Sequence, residues 1–260
     1  MDKKASNQFE LLTQRRFLPY FLVQFLGAFN DNIFRYALII LISFMSAAQL
    51  SASESSTLIN LSAALFILPF FLFSSTAGQF ADKYEKSFLI RRIKLMEIFI
   101  MCCAAIGFYL HSIPILMVVL FLMGTQSAFF GPIKYSILPQ HLREEELVGG
   151  NGMVEMATFL AILLGTMLGS NLIQVENIGV VLVIVAIIGF ASLGYLVSHS
   201  IPETPATDAG LKINWNIFSE TWANIKFARE NRTVFLSIMG NSWFWFLGSA
   251  YLAQLPNYTR

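Results

Sequence analysis

The sequence predicts an all-α membrane protein, a six-helix bundle followed by a seventh helix, and two observations predict it. The first is composition: 56% of residues are hydrophobic and 13% charged, with a mean hydropathy of +0.63, whereas about a quarter of a soluble domain is charged. The second is charge placement. Seven apolar runs are long enough to cross a hydrocarbon core, which takes about 20 residues, and fifteen of the 17 Lys and Arg fall in alternate gaps between them. Lys3, Lys4, Arg15 and Arg16 precede the first run; Lys83, Lys86, Arg91, Arg92 and Lys94 lie at the junction of the second and third; Lys134 and Arg143 follow the fourth; Lys212, Lys226, Arg229 and Arg232 follow the sixth. The gaps after the first, third and fifth runs hold none. By the positive-inside rule the N-terminus is cytoplasmic. The two exceptions are Arg260 and Arg35, and Arg35 lies inside the first run.

Taken in order, the expected spans are 17–45, 57–79, 87–110, 114–138, 149–174, 178–198 and 233–255. The first begins after basic residues, but it is too long for a signal-peptide core and no small-residue cleavage site closes it, so it stays as a span. The third carries Cys102 and Cys103, adjacent residues that point to different helix faces and read as packing. The first, fourth and fifth exceed a span's needs and tilt or protrude. Between the sixth and seventh, 202–232 opens with Pro202, Pro205 and Gly210 and reads as linker. It continues with apolar residues at 215, 218, 222 and 225 near Lys226 and Arg229, a pattern suited to an amphipathic helix on the cytoplasmic membrane surface. The expected division is a six-helix bundle over 1–200, a linker with that amphipathic helix over 201–232, and over 233–260 the first helix of a second half, with the chain read as a fragment. Six spans, a linker and one more span match half of a twelve-helix transporter, whose substrate site lies between two six-helix bundles.

Polar residues within the spans carry the functional expectation. Asp31 stands 14 residues beyond Phe17, about 21 Å along a helix and therefore near mid-membrane. An ionised Asp or Arg there costs on the order of 2.5–3.5 kcal/mol and needs a partner or water. Asp31 and Arg35 share a helix face, acid first, the favourable order for an ion pair; the pair is either a self-neutralising structural element or a site for a charged headgroup. Asn30 and Asn32 flank it. In the fourth run Gly124, Ala128 and Pro132 recur every four residues, small enough for close helix approach, and Pro132 invites a kink where a helix lines a cavity. Lys134 either snorkels to the interface or serves the site. Asn151, Glu155 and Thr158 share a face of the fifth run, ahead of Gly165 and Gly169, a GxxxG spacing for close packing. Glu97, near Lys94, is read as solvated or paired at the cytoplasmic end.

Several stretches together carry a resemblance. QFLGAFNDN at 24–32, GQFAD at 78–82, FFGPIKYSIL at 129–138 and LVGGNGMVEMATFLAILLG at 147–165 occur in this order from the first helix to the fifth. In them the chain resembles the major facilitator superfamily, and within it the bacterial lysophospholipid transporters, including forms fused to acyltransferase and acyl-ACP synthetase domains. Gly78, Asp82 and Lys83 fit the superfamily's gating-loop motif, whereas Glu85 stands at a position usually Gly and Ser87 where a basic residue is expected. The resemblance implies a lysophospholipid substrate, chiefly lysophosphatidylethanolamine, moved from the outer to the inner leaflet of a bacterial inner membrane. It also implies, as partners, membrane lipid, the missing C-terminal half of the same chain, and a fused acyltransferase or synthetase domain.

The residues allow a compatible chemistry, with Asp31 for an ammonium and Arg35 and Lys134 for a phosphate. In this reading substrate competes with Arg35 for Asp31. Asn30, Asn32, Asn151 and Glu155 complete the candidate transport set. The alternatives are a facilitator for a drug, sugar or peptide driven by protons through Asp31 or Glu155, the transporter portion of a fused acyltransferase, and a non-transporting anchor. Catalysis within these residues has no support. An acyltransferase needs His followed by Asp after four intervening residues, and His111, His141 and His199 are followed there by Leu116, Glu146 and Thr204; a GxSxG elbow is also absent. No cofactor or metal is expected, and the basic residues form no single patch for nucleic acid.

Overall fold

The computed structural model describes residues 8–48 and 51–258; Lys3, Lys4 and Arg260 of the charge pattern lie outside them. After a short 3-10 turn at Gln8–Thr13, the described chain runs through α1 (Leu18–Ala48), α2 (Ala52–Lys83), α3 (Lys86–Tyr109), α4 (Ile113–Ser136), the single turn α5 (Leu138–His141), α6 (Leu147–Ile173), α7 (Gly179–Ser198), α8 (Ile217–Glu230) and α9 (Arg232–Tyr258). The described residues contain no strand. Among the described residues five helical segments are long and apolar enough to cross a membrane: Leu18–Ser43, Ser53–Lys83, Ile113–His141, Glu144–Ile173 and Gly179–Ser198. α3 falls outside that set because Lys86, Arg91, Arg92, Lys94 and Glu97 crowd its first half.

Local chemistry fixes the helix starts. Ser51 and Glu54 form a reciprocal capping box on α2, satisfying amide hydrogens that have no partner in the first turn. Glu85, in extended conformation, accepts from the backbone N–H of Ser87 and Phe88 and caps α3. Its acid occupies the place of the usual glycine because a cap needs an acceptor, and no positive φ is required there. Pro114 sits in the first turn of α4 and Pro139 in that of α5, where the missing N–H costs nothing. Asn177, at φ 62, makes the turn into α7; its short amide side chain tolerates the left-handed region.

Two compact units result, Met1–Ile213 and Asn214–Arg260. In the first, α1 packs on α6 and α7, α4 on α2 and α3, and α3 on α7, with α1 and α4 also in contact. α1, α4, α3 and α7 therefore form a four-helix core in which the α1–α4 side lies opposite the α3–α7 side. Ile33, Phe34, Leu38, Met101, Phe108, Leu116, Val183 and Ile187 fill its apolar interior. The second unit holds α8, capped by the Asn216 side chain on Ser219 N, packed against α9.

The end of the bundle that carries the basic loops is tied by a non-helical strap. Beyond α7, Thr204 N donates to Glu85 Oε1 at 2.7 Å, Lys86 N donates to Thr204 O at 2.9 Å and Asp208 N to Asp82 O at 2.9 Å, while Lys86 Nζ donates to Thr207 Oγ1 at 2.9 Å. His141 bridges Arg16 O and Thr204 Oγ1, both at 2.7 Å. Arg16 and Arg143 each pair with Glu146, at 2.8 and 2.7 Å. Burial pushes the Glu85 carboxyl up, but the hydrogen bonds from Thr204, Ser87 and Phe88 outweigh it and hold its pKa below the ordinary value.

Candidate functional site

The polar centre of α1 faces three different neighbours. Asp31 Oδ2 accepts from Ser127 Oγ of α4 at 2.9 Å. The Arg35 guanidinium lies over the Phe66 ring of α2, 4.6 Å from its centroid. Among the described residues there is no ion pair between Asp31 and Arg35, which corrects the pairing expected from their spacing. One helical turn brings the two side chains within reach of each other, but a hydroxyl on α4 and an aromatic face on α2 offer each its own partner, and a cation over a ring is stabilised without a carboxylate. The asparagines also turn away from Asp31. Asn30 is fully buried and donates to Glu97 Oε1 at 3.1 Å, and Asn32 donates to Ala28 O of its own helix at 2.7 Å.

An ion pair does lie inside the bundle, on α3. Lys94 Nζ meets Glu97 Oε2 at 2.7 Å, with side chains only 1% and 2% exposed. Of the two readings of Glu97, solvated or paired at the cytoplasmic end, the pairing agrees with the structure and the placement does not, since the pair is buried. Gln126 Nε2 donates to the same carboxylate at 3.3 Å, and the Phe130 ring lies 5.5 Å from the ammonium. Such a pair is tolerable in low dielectric only when its atoms find further partners; Asn30 and Gln126 donate to the Glu97 carboxylate, and the Phe130 ring stands beside the ammonium. Gly27 makes the room: a Cβ there would lie 2.5 Å from Lys94 Nζ. Ser127 Oγ, whose one hydrogen goes to Asp31, also lies 3.2 Å from Gln126 Oε1. Polar contacts thus run without a break from Lys94 through Glu97, Gln126 and Ser127 to Asp31.

A second polar cluster joins α4 to α6. Lys134 Nζ lies 3.3 Å from Glu155 Oε1 and 2.9 Å from Thr158 Oγ1. Tyr135 donates to the same Glu155 oxygen at 2.7 Å, and Gln24 of α1 donates to Thr158 at 2.6 Å. The buried Gln24 Oε1 and Asn30 Oδ1 have no hydrogen-bond partner among the described residues. Tyr20 donates to Lys134 O at 2.6 Å, satisfying one of the carbonyls left open at the end of α4. Asn151 stands apart, exposed and bonded to Leu147 O one turn back.

Small residues set how close these elements come. A Cβ at Gly165 would meet Phe29 O and one at Gly169 would meet Ile33 O, so α6 packs directly on the α1 backbone flanking Asp31. Gly124 sits against Phe66 O in the same way, bringing α4 onto α2, and Pro132 lies within α4 eight residues on. Around the loop motif, Gly78 has open space where a Cβ would stand, Asp82 O receives the strap, and Lys83 Nζ lies 5.8 Å from the Tyr84 ring centroid. Among the described residues no group of three or more His, Cys, Asp and Glu is placed to hold a metal ion.

Sequence reasoning missed Lys94, Gln126 and Ser127. The signal for Lys94 was periodic: Ile90, Lys94, Glu97, Met101, Ala104 and Phe108 recur at three and four residues, and all are buried. Two charges in phase with an apolar stripe belong to the core.

Comparison with known proteins adds a family. The Major Facilitator Superfamily model matches residues 20–259. Similar curated proteins carry the name lysophospholipid transporter LplT. One from Klebsiella pneumoniae is 29% identical over 244 residues, 91% of this chain and 56% of that protein. Another from Serratia proteamaculans is 27% identical over 242 residues, covering 91% and 56%, and one from Escherichia coli is 30% identical over 233 residues, covering 86% and 53%. The chain spans about half the length of the curated relatives it matches.

Proposed function

Since this chain belongs to the major facilitator superfamily, we propose that it forms one wall of a lysophospholipid transporter working by alternating access. In this reading the cargo is chiefly lysophosphatidylethanolamine, carried from the outer to the inner leaflet of a bacterial inner membrane. The N-terminus is cytoplasmic, and the rest of a relative-length polypeptide supplies the facing wall.

The observation that carries the proposal is that Asp31 and Arg35, one helical turn apart near mid-span, are not spent on each other. Among the described residues Asp31 keeps only a Ser127 hydroxyl on one oxygen, and Arg35 rests on an aromatic ring. A zwitterionic headgroup presents an ammonium and a phosphate, and charge-assisted hydrogen bonds to Asp31 and Arg35 match them in kind. Lys134 is a second cation for the phosphate, and Glu155 is what the phosphate must displace. The acyl chain trails between helices in lipid. Substrate therefore need not break an Asp31–Arg35 bond on entry; the competition shifts to Lys134 and Glu155. Binding then biases the inward-open and outward-open states by as much as the headgroup prefers one of them.

Uptake of lysophosphatidylethanolamine and of lysophosphatidylglycerol, which lacks the ammonium, into vesicles bearing the full-length protein tests this. Asp31→Asn lowers uptake of the first more than of the second, and Arg35→Ala lowers both. Unchanged uptake in both variants removes the α1 charges from the mechanism.

A further inference from the structure

The opposite side of the core carries a feature that cargo transport does not use. Between the start of α3 and the end of α7 lies a cleft of about 230 Å³ lined by Phe88, Arg91, Arg92, Leu95, Tyr195 and His199. Three of its six lining residues are basic or can become so, and none is a carboxylate. Glu85 Oε2 forms a long ion pair with Arg91 at 3.7 Å, and the same carboxylate also caps α3 and holds Thr204.

Donors remain at the cleft after those contacts. Arg91 Nη2 donates to Ser87 Oγ at 3.1 Å, a bond that fixes the guanidinium and leaves other N–H groups of its fork. Arg92 is exposed, with its guanidinium 5.0 Å from the Phe88 ring centroid. His199 engages Tyr195 O through Nδ1 at 2.9 Å, and its Nε2 has no partner among the described residues. Arg91 stands five residues after the start of α3, about 8 Å along the axis, the depth of a headgroup layer. Further along, exposed Leu95 and Phe99 of α3 and Leu193 and Leu196 of α7 give an apolar surface below the basic rim.

We propose that this cleft binds an anionic phospholipid of the surrounding leaflet. Its phosphate sits against Arg91, Arg92 and His199, and its acyl chains follow α3 and α7. The bare alternative is that the arginines snorkel, but snorkelling needs no concavity and gives no preference among headgroups. Basic pockets between helices on the cytoplasmic side are suited to anionic headgroups, with about 1 kcal/mol per cation near the surface. The inference needs the membrane placement of the bundle but not the identity of its cargo.

Native mass spectrometry of the detergent-purified chain, titrated with phosphatidylglycerol or phosphatidylcholine of matched acyl chains, reads it out. Wild type retains phosphatidylglycerol in preference, and Arg91→Gln with Arg92→Gln weakens that binding about thirtyfold while phosphatidylcholine adducts stay the same. Leu95→Trp fills the cleft and weakens phosphatidylglycerol binding with every charge intact, so the result does not hang on the double variant folding. Lys226→Gln with Arg229→Gln removes as much charge from α8 and leaves the preference in place. Equal retention of both lipids by wild type overturns the proposal, as does an unchanged Leu95→Trp or an equal loss in the α8 variant. Full displacement of phosphatidylglycerol by millimolar inorganic phosphate overturns it too, since the site then takes a free anion.

Discussion

Two helices of this protein carry an acid and a base about one turn apart, and they use them in opposite ways. On α3, Lys94 and Glu97 close on each other at 2.7 Å and vanish into the core. On α1, Asp31 and Arg35 part, one to a hydroxyl on α4 and the other to a ring on α2. Spacing along a helix permits both outcomes; the neighbouring helices choose. The Glu97 carboxylate accepts from the amides of Asn30 and Gln126 as well as from Lys94, so the charges of the pair are used up in holding the bundle. Asp31 and Arg35 keep bonding capacity in reserve, and that reserve is what a polar cargo can use.

Breaking the closed pair has the largest expected effect. Lys94→Ala leaves a buried carboxylate without its cation and destabilises the protein by about 3–5 kcal/mol, read as a loss of folded protein in thermal unfolding in detergent. Lys94→Met with Glu97→Leu recovers part of that loss; a double variant as unstable as the single one would mean the pair is not the unit. At the open pair the contrast reverses: Asp31→Asn leaves the unfolding temperature close to wild type and lowers lysophosphatidylethanolamine uptake by about tenfold, as loss of one charge-assisted bond predicts. A stability loss as large as that of Lys94→Ala would erase the distinction between the two sites.

Smaller effects sharpen it at the periphery. Glu85→Ala removes the cap of α3 and one anchor of the strap, worth about 0.5–2 kcal/mol. Because the Glu85 pKa is lowered in the fold, its contribution is present above the ordinary carboxylate pKa and disappears only as pH falls through the lowered value. An acid titration of unfolding in wild type and Glu85→Ala shows the two curves meeting at low pH. Gly78→Ala is the smallest: open space awaits the methyl, so the change is neutral or stabilises α2 by up to about 1 kcal/mol, whereas Gly169→Ala meets Ile33 O and loosens α6 from α1.

Much of the architecture was legible because the membrane imposes it: the expected span at 178–198 meets α7 at Gly179–Ser198, whereas that at 87–110 meets a helix, Lys86–Tyr109, whose charged first half keeps it outside the membrane-capable set. Basic residues in alternate gaps marked where successive helices join, although most of them lie within helices and Lys94 within the core. The site was legible only as a set of residue types. The i, i+4 rule describes an isolated helix and has no knowledge of Ser127 or Phe66, which reach α1 from 96 positions away in the first case. Lys94 and Glu97 were misplaced because counting charge along α3 hides their phase, and phase decides burial. The polar chain from Lys94 to Asp31 depends on which faces of α1, α3 and α4 meet, and no local pattern encodes that.

The strap after α7 has a practical corollary for anyone wishing to express the bundle as a separate polypeptide. Ending the gene at Ser198, where the last helix of the first unit stops, would discard Thr204 and Asp208 and strip the α2–α3 loop and His141 of their ligatures. A stop codon after Ile213 keeps every one of those knots, and the shorter product should be the one that proteases clear.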